Sequence, residues 1–300
     1  MPDVHRLEYE RRMHRVLAHI DSHLSEPLDL PQLADVAHFS PFHFHRLFAA
    51  WMGETLGDYL RRRRVEVAGV KLLSQPRLTV LQAALDVGFG SSEAFSRAFK
   101  AHFGASPSGW RTHRRDGVQL SNPDHDGRRA ASKNGASHQP SSHALPVKII
   151  DRAPARIVYL RHIGPYGPSV NRFWADEVYP WIVANGLLDR PRYGIGHDDP
   201  SVTDPARCRY DACAEAPAGF KASGRSFSTT LPGGRYAVLP FRGKVAEVEL
   251  AWARLLRDWL PSSGLQLDGR PCYEYYQPGV TDEAGTGAFA CDICVPVTSL

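Results

Sequence analysis

The sequence predicts a multidomain chain: an all-α double helix-turn-helix domain followed by an α+β domain of two pseudo-symmetric halves. Three observations carry this. Between Leu30 and Ser106 the pattern LPQLADVAHFSPFHFHRLFAAWMGET recurs as VLQAALDVGFGSSEAFSRAFKAHFGAS. A second, unrelated repeat occupies the residues after 145. Between the two lies GVQLSNPDHDGRRAASKNGASHQPSSH, which has almost no large apolar side chains. The expected boundaries are 4–115 for the first domain, 116–143 for a flexible linker and 144–300 for the second domain. The linker is expected to be flexible because it offers too little apolar surface to offset the entropy of ordering it.

The first helix is expected over His5–Leu24, with apolar residues at Leu7, Val16, Leu17, Ile20 and Leu24 along one stripe. Asp29 with Gln32, and Thr79 with Gln82, have capping-box spacing and start the first helix of each unit. Ala34 and Ala84 are the small residues that let the second helix of each unit pack closely. His38-Phe39 and Gly88-Phe89 supply the bend and its apolar anchor. Ser40 caps the helix carrying His43, His45 and Arg46, and Ser91 or Ser92 caps the one carrying Arg97. A long helix from about Thr55 to Leu73 joins the units. Ala34 to Ala84 and Phe39 to Phe89 are 50 residues apart; after one extra residue at Gly90, Arg46 to Arg97, Phe48 to Phe99 and Gly53 to Gly104 are 51 apart.

Phe44, Leu47 and Phe48 form the buried stripe of one second helix, and Phe95, Ala98 and Phe99 that of the other. This leaves Phe42, His45 and Arg46 outward on the first, and Ser92, Glu93, Ser96 and Arg97 on the second. Such positions reach base edges when a helix of this motif enters the major groove. Arginine pairs bidentately with guanine and glutamate accepts from cytosine. Phe42 fits either a core edge or contact with a thymine methyl, and a single outward arginine is usually just a solvated surface residue; the matched positions of Arg46 and Arg97 in two copies favour base contact. The run Arg61–Arg64 spreads around all faces of its helix. Some of it should pair with Asp58 or Glu66, and phosphate contact is its alternative use.

Charge follows the same division. Residues 1–115 hold 16 Lys and Arg against 12 Asp and Glu, whereas 116–300 hold 20 of each, so the whole positive excess sits with the helical repeat. That is the electrostatic footprint expected of a DNA reader. The charged start MPDVHRLEYERRMHRV lacks an apolar signal core, and no apolar run approaches the ~20 residues a bilayer span needs. A cytoplasmic location and no membrane partner are expected. Five cysteines, an odd number, argue against a disulfide framework. Cys291 and Cys294 lie three apart on an expected strand, on opposite faces, so one metal could not easily take both. No metal, cofactor or catalytic constellation is expected.

Residues 9–115 resemble the DNA-binding domain of AraC/XylS-type transcription regulators. The resemblance rests on the paired units, the joining helix DYLRRRRVEVAGVKLL and the second-unit sequence ALDVGFGSSEAFSRAFKAHFGASPSGWR. It implies base-reading roles for Phe42, His45 and Arg46, and for Glu93 and Arg97. His45 and Glu93 stand where Rob-like members carry glutamine, so a different target sequence is expected.

In the second domain the order strand, helix, strand occurs twice. Trp174 corresponds to Trp252, Trp181 to Trp259 and Gly186 to Gly264, each 78 residues on. Pro191-Arg192-Tyr193-Gly194 corresponds to Pro271-Cys272-Tyr273-Glu274, 80 residues on. Two such halves would pack about a pseudo-twofold axis with a shared cleft. Alternation places Glu274 and Tyr276 on one strand face, and Gly194 and Gly196 would leave room opposite the charge. A buried carboxylate among aromatics calls for a partner, and a cationic ligand held partly by ring faces would serve. A surface edge, or a nearby arginine, is the plainer reading of Glu274.

The duplicated architecture and PCYEYY resemble the GyrI-like effector-binding domain of multidrug-sensing regulators, over about Leu145–Val297. The resemblance implies that Glu274 engages a lipophilic cation, with Tyr276, Tyr193, Trp174 and Phe173 as weaker candidates for the cleft wall. The expected protein is then a sequence-specific transcription regulator controlled by a small-molecule effector, with a cationic, aromatic compound as the candidate class. Its expected partners are double-stranded DNA, that effector and, as a candidate, RNA polymerase. Two readings from other classes stay open: a small-molecule hydrolase using Glu274 as base beside Tyr276, and a protein-docking groove.

Overall fold

The structure, a computed structural model, describes residues 4–115, 145–200, 203–279 and 288–299. The expected linker at 116–143 lies outside the described residues. The chain divides into two compact units, Met1–Pro140 and Ser141–Leu300. Among the described residues no helix is long and apolar enough to cross a membrane.

The first unit contains α1 (Val4–Ser22), α2 (Leu30–Val36), α3 (Pro41–Met52), α4 (Leu56–Ser74), α5 (Val80–Asp86), α6 (Ser92–Phe103) and α7 (Pro107–Arg115). Side-chain oxygens mark the helix starts. Asp29 accepts the Gln32 N–H at 2.8 Å, Thr55 that of Asp58 at 3.2 Å, and Thr79 that of Gln82 at 3.1 Å. Ser40 accepts from His43, and Ser91 rather than Ser92 caps α6 by accepting from Ala94. Such a cap contributes about 1 kcal/mol. The Gln82 side chain donates to Asp86 at 3.0 Å. Both second helices end on left-handed glycines, Gly53 and Gly104.

The repeat is repeated in space. Ala34 and Ala84 are fully buried. Phe39 donates its N–H to the Ala34 carbonyl at 3.0 Å, and Phe89 does the same to Ala84 at 2.9 Å. This closure needs a left-handed residue just before the phenylalanine: His38 at φ 54° and Gly88 at φ 82°. A Cβ on Gly88 would lie 2.9 Å from both the Leu24 carbonyl oxygen and Arg64 Nη2, so only glycine fits. His38 meets no such obstacle but carries the backbone strain of a side chain at positive φ. The first core joins Met13, Val16, Leu17 and Ile20 of α1 to Leu33, Phe44, Phe48 and Tyr59. The second is a ladder of rings, with Phe99 to Phe103 at 4.6 Å and Phe103 to Trp110 at 4.2 Å.

The second unit contains β1 (Lys148–Arg152), β2 (Ala155–Ile163), α8 (Pro168–Phe173), a π-helical turn (Trp174–Val178), α9 (Tyr179–Ala184), β3 (Arg192–Gly196) and β4 (Arg209–Glu215). Then come β5 (Phe227–Leu231), β6 (Gly234–Lys244), α10 (Val245–Ala253), a second π-helical turn (Arg254–Trp259), β7 (Leu265–Leu267), β8 (Tyr273–Tyr276) and β9 (Ala288–Ser299). The strand order is β1-β6-β9-β8-β3-β4-β2-β5, with β7 on the far end of β9. Exchanging β1 with β5, β2 with β6, β3 with β8 and β4 with β9 reproduces this order reversed. The pseudo-twofold axis therefore passes between β3 and β8. Each half lends its opening strand to the other: β1 pairs with β6 and β5 with β2.

Helices cover one sheet face in two separate blocks. Val178 and Ile182 pack on Val158, Leu160, Ala212 and Ala214 of β2 and β4. Leu255 and Leu260 pack on Ala237, Leu239, Ile293 and Val295 of β6 and β9. The other face buries Tyr159, Tyr193, Tyr236 and Tyr273 with Cys213 and Cys294. Cys291 and Cys294 fall in clusters on opposite faces, as strand alternation requires.

His38→Gly is expected to stabilise the first unit by about 0.5–1 kcal/mol, because the left-handed turn loses its side-chain strain. Gly88→Ala is expected to destabilise it by more than about 1 kcal/mol, through both φ and contact with Leu24. Urea midpoints of the two variants against wild type check this, and equal effects would contradict it.

Candidate DNA-reading and ligand-binding sites

On α3, Phe44 and Phe48 are fully buried, which turns Phe42, His45 and Arg46 to solvent. Phe42 is 67% exposed, so it is no core edge. The Arg46 guanidinium carbon lies 5.8 Å from the centre of its ring. On α6, Phe95 and Phe99 are buried while Glu93 and Arg97 are exposed. Ser92 is half-buried and its hydroxyl donates to Glu93 at 3.2 Å. The Glu93 carboxyl is held below its ordinary range by its own backbone N–H at the helix start, by Ser91 and Ser92, and by Arg97. It thus stays an acceptor-only group at neutral pH, one turn before an arginine that only donates.

The run Arg61–Arg64 is largely spent inside the unit. Arg61 pairs with Asp58 at 3.0 Å and both are exposed. Arg62 bonds to Glu54 and Glu66, Arg63 to Asp21, and Arg64 to the carbonyls of Leu24 and Glu26. Arg61 alone of the four keeps its charge at the surface, where a phosphate could meet it.

In the second unit, β3 and β8 pair so that Gly194 faces Glu274 and Arg192 faces Tyr276. Gly194 in turn faces Ala212, and Glu274 faces Ile293. Ala212 belongs under one helical block and Ile293 under the other. Gly194 and Glu274 are therefore the floor between the blocks. Each block presents an indole to this floor. Trp174, which opens the first π-helical turn, donates its N–H to the Tyr210 hydroxyl at 3.1 Å. Trp252, two residues before the second turn, donates to Glu274 Oε1 at 3.1 Å. Tyr276 donates to Glu274 Oε2 at 2.8 Å, and the Tyr210 hydroxyl is a third donor. Trp174 and Phe289 approach the Tyr276 ring at 5.9 and 6.2 Å.

Burial pushes the Glu274 carboxyl above its ordinary value, against the opposing pull of Trp252, Tyr276 and Tyr210. Burial also raises Tyr210 and Tyr276 well above the usual phenol range, so both remain protonated donors. The space left by Gly194 is used by its neighbours: a Cβ there would fall on the Tyr210 hydroxyl and 2.9 Å from Glu274 Oε2. Gly196 lies under Tyr166.

The structure brings Glu274, Tyr276 and Trp174 together and leaves two expected wall residues elsewhere. Tyr193 is one residue out of phase with Gly194, so it packs on the opposite sheet face against Tyr273 and Tyr275 and donates to Glu215 at 3.2 Å. Phe173 is buried under the first block with its ring 5.4 Å from His162. Tyr210 was the residue hardest to find from sequence. Its signal is that Tyr210-Asp-Ala-Cys213 corresponds to Cys291-Asp-Ile-Cys294, 81 residues on, which puts Tyr210 on the Cys291 face. Among the described residues no group of three or more His, Cys, Asp or Glu is placed to hold a metal ion.

The chain matches a helix-turn-helix domain model over residues 33–113 and a GyrI-like small molecule binding domain model over residues 145–298, just over half its length. It is similar to Regulatory protein SoxS of Escherichia coli (strain K12), 33% identical over 105 residues, covering 35% of this chain and 97% of that protein. It is similar also to the HTH-type transcriptional activator AarP of Providencia stuartii, 36% identical over 96 residues, covering 32% of this chain and 70% of that protein. A crystal structure of a transcriptional regulator of the AraC-type DNA-binding kind from Chromobacterium violaceum is 26% identical, covering 35% of this chain and 93% of its own, with a TM-score of 0.33. The protein belongs to the GyrI-like small-molecule-binding family through its second half, and its first half makes it an AraC-type DNA-binding transcription regulator.

Proposed function

We propose that residues 144–300 bind a lipophilic, aromatic cation at Glu274 and that this ligand controls how residues 4–115 act on DNA. The observation that carries the reading is a half-buried carboxylate whose partners among the described residues, Trp252, Tyr276 and Tyr210, are all neutral. Neutral donors offset only part of the cost of withdrawing a charge from water. A cation offsets the rest, and the rings of Trp174 and Tyr276 add about 0.5–2 kcal/mol of cation–π attraction. On the DNA side, Phe42, His45 and Arg46 of α3 and Glu93 and Arg97 of α6 are the proposed base readers, with Ser92 orienting Glu93.

Titration with tetraphenylphosphonium and its neutral analogue tetraphenylmethane, in the small amount that dissolves, tests the cleft through the fluorescence of Trp174 and Trp252. The cation is expected to bind, the neutral analogue to bind at least tenfold more weakly, and Glu274→Gln to remove the difference. Equal binding of both compounds, or a Glu274→Gln variant that still prefers the cation, would sink the role given to Glu274.

The raised Glu274 pKa sets two signs. Affinity for a permanent cation is expected to fall as pH drops through the raised pKa, because the protonated carboxyl carries no charge. The carboxyl binds its proton more tightly in the folded than in the unfolded state, so it lowers stability as pH rises through the folded pKa. Glu274→Gln is therefore expected to melt higher at pH 7, with the gap closing below pH 4.5. Calorimetric scans across pH read this directly, and a variant that melts lower at pH 7 would contradict it.

Arg46→Ala and Arg97→Ala are each expected to weaken binding to DNA selected from a random pool by about 10–100-fold, matching about 1–3 kcal/mol per bidentate contact. Both should leave binding to unselected DNA nearly unchanged. Arg61→Ala is expected to weaken both kinds of DNA alike and to flatten the salt dependence. Gel-shift titrations on the two pools at two salt concentrations separate these outcomes.

A further inference from the structure

Arg62 and Arg64 stand on the helix that joins the two helix-turn-helix units, yet neither is placed as a surface charge. Arg62 donates through Nε and Nη2 to Glu54 and through Nη1 to both oxygens of Glu66, at 2.7 to 3.3 Å. The side chains of Arg62, Glu54 and Glu66 are 15%, 11% and 2% exposed. Glu54 directly follows Gly53, which ends α3. Glu66 lies on α4 with His102 Nε2 of α6 at 3.7 Å. One guanidinium thus ties the end of α3 to α4 at a point where α4 meets α6.

Arg64 makes a second tie two residues further along α4. Its Nε and Nη2 donate to the carbonyls of Leu24 and Glu26, beyond the end of α1, at 3.1 and 2.7 Å. The same Nη2 and the Leu24 carbonyl both stand 2.9 Å from where a Gly88 Cβ would be. Gly88 is the turn of the second unit, so Arg64 is wedged between a segment of the first unit and the bend of the second. Arg63 pairs with Asp21 of α1 at 3.1 Å and fixes α1 to the same helix.

We propose that Arg62 and Arg64 are positioning residues that lock the two units at one separation and phase, and so set the spacing between the two DNA segments that α3 and α6 read. The proposal rests on the reading of α3 and α6 as the base-reading helices. The planar fork of arginine holds two carboxylates at a defined angle, which a flexible point charge would not. Rotating the first unit about α4 would part Glu54 from Arg62 where that carboxylate is only 11% exposed, so intermediate arrangements are disfavoured. Adding one base pair between two major-groove segments shifts one by about 3.4 Å and turns it by about 35° about the DNA axis. A locked pair of units cannot follow that change, whereas a hinged pair can.

The test uses the full chain. Duplexes selected by wild type from a random-sequence pool are footprinted to define the two contacted segments. The gap between the segments is then shortened or lengthened by one base pair. Wild type is expected to lose at least about tenfold in affinity on both altered duplexes. Arg62→Met and Arg64→Met are expected to shrink this preference to under about threefold, by weakening the original spacing more than the altered ones. Should Arg62→Met not fold by circular dichroism, Glu54→Gln decides, since it keeps the shape and one acceptor. The proposal is overturned by a wild type indifferent to spacing, by folded variants that keep the full preference, or by variants that lose affinity equally on all three duplexes. That last pattern is what a merely structural role gives. Failure of the base-reading assignment shows elsewhere, as Arg97→Ala selecting the same DNA sequence as wild type.

Discussion

The second unit depends on what happens where its two halves meet. Strands β3 and β8 pair along the pseudo-twofold axis, and their register sets Gly194 against Glu274. Two full side chains could not both stand there. One half gives up its side chain, and Tyr210 and Glu274 use the space. The rest of the unit follows from keeping this junction in place. The exchanged edge strands β1 and β5 knit each half to the other. A tryptophan from each helical block reaches the same floor, Trp174 through Tyr210 and Trp252 directly to Glu274. Duplication supplies the architecture, and one broken symmetry at its centre supplies the chemistry.

The first unit handles duplication in the same way. Its two turns have one geometry, closed by Phe39 on Ala34 and Phe89 on Ala84, but different residues satisfy it. The second turn must be glycine because Leu24 and Arg64 crowd it. The first faces open space and tolerates His38 at a strain cost of about 1 kcal/mol. The difference between copies again falls where one copy touches something the other does not. Positive charge is divided on the same logic. Arg62, Arg63 and Arg64 are consumed by carboxylates and carbonyls of the unit, whereas Arg46 and Arg97 are left outward on the helices with glycine caps.

Most of this was legible in the sequence because it is local or repeated. Helix starts were written in Asp29, Ser40, Thr55 and Thr79. The outward faces of α3 and α6 followed from the positions of Phe44, Phe48, Phe95 and Phe99, all of which are fully buried. The pairing of Gly194 with Glu274 was legible because both halves share one strand pattern. What sequence could not give depends on partners far along the chain. Tyr193 is the exception: it is one residue from Gly194, so alternation alone puts it on the face away from the floor, where it pairs with Tyr275. Phe173 looked like a wall residue, and the packing of the first helical block puts it in the core instead. Tyr210 acts through a glycine on the neighbouring strand, and no property of its own segment announces that. The arginine run was ambiguous for the same reason: Asp21, Leu24 and Glu54 come from other elements.

The chemistry of the floor also limits what kind of recognition it can perform. A carboxylate has about four acceptor positions, and three donors of the chain itself already approach Glu274. Little hydrogen-bonding capacity is left with which to read the shape of a ligand's donors. What is left is uncompensated charge in a site whose donors are fixed phenols and indoles. In the proposed reading, selection therefore rests on the sign of the ligand's charge and on the area it offers to aromatic rings, both of which many compounds share. Such a site trades chemical exactness for breadth, which suits a sensor of a class of compounds better than a reader of one metabolite.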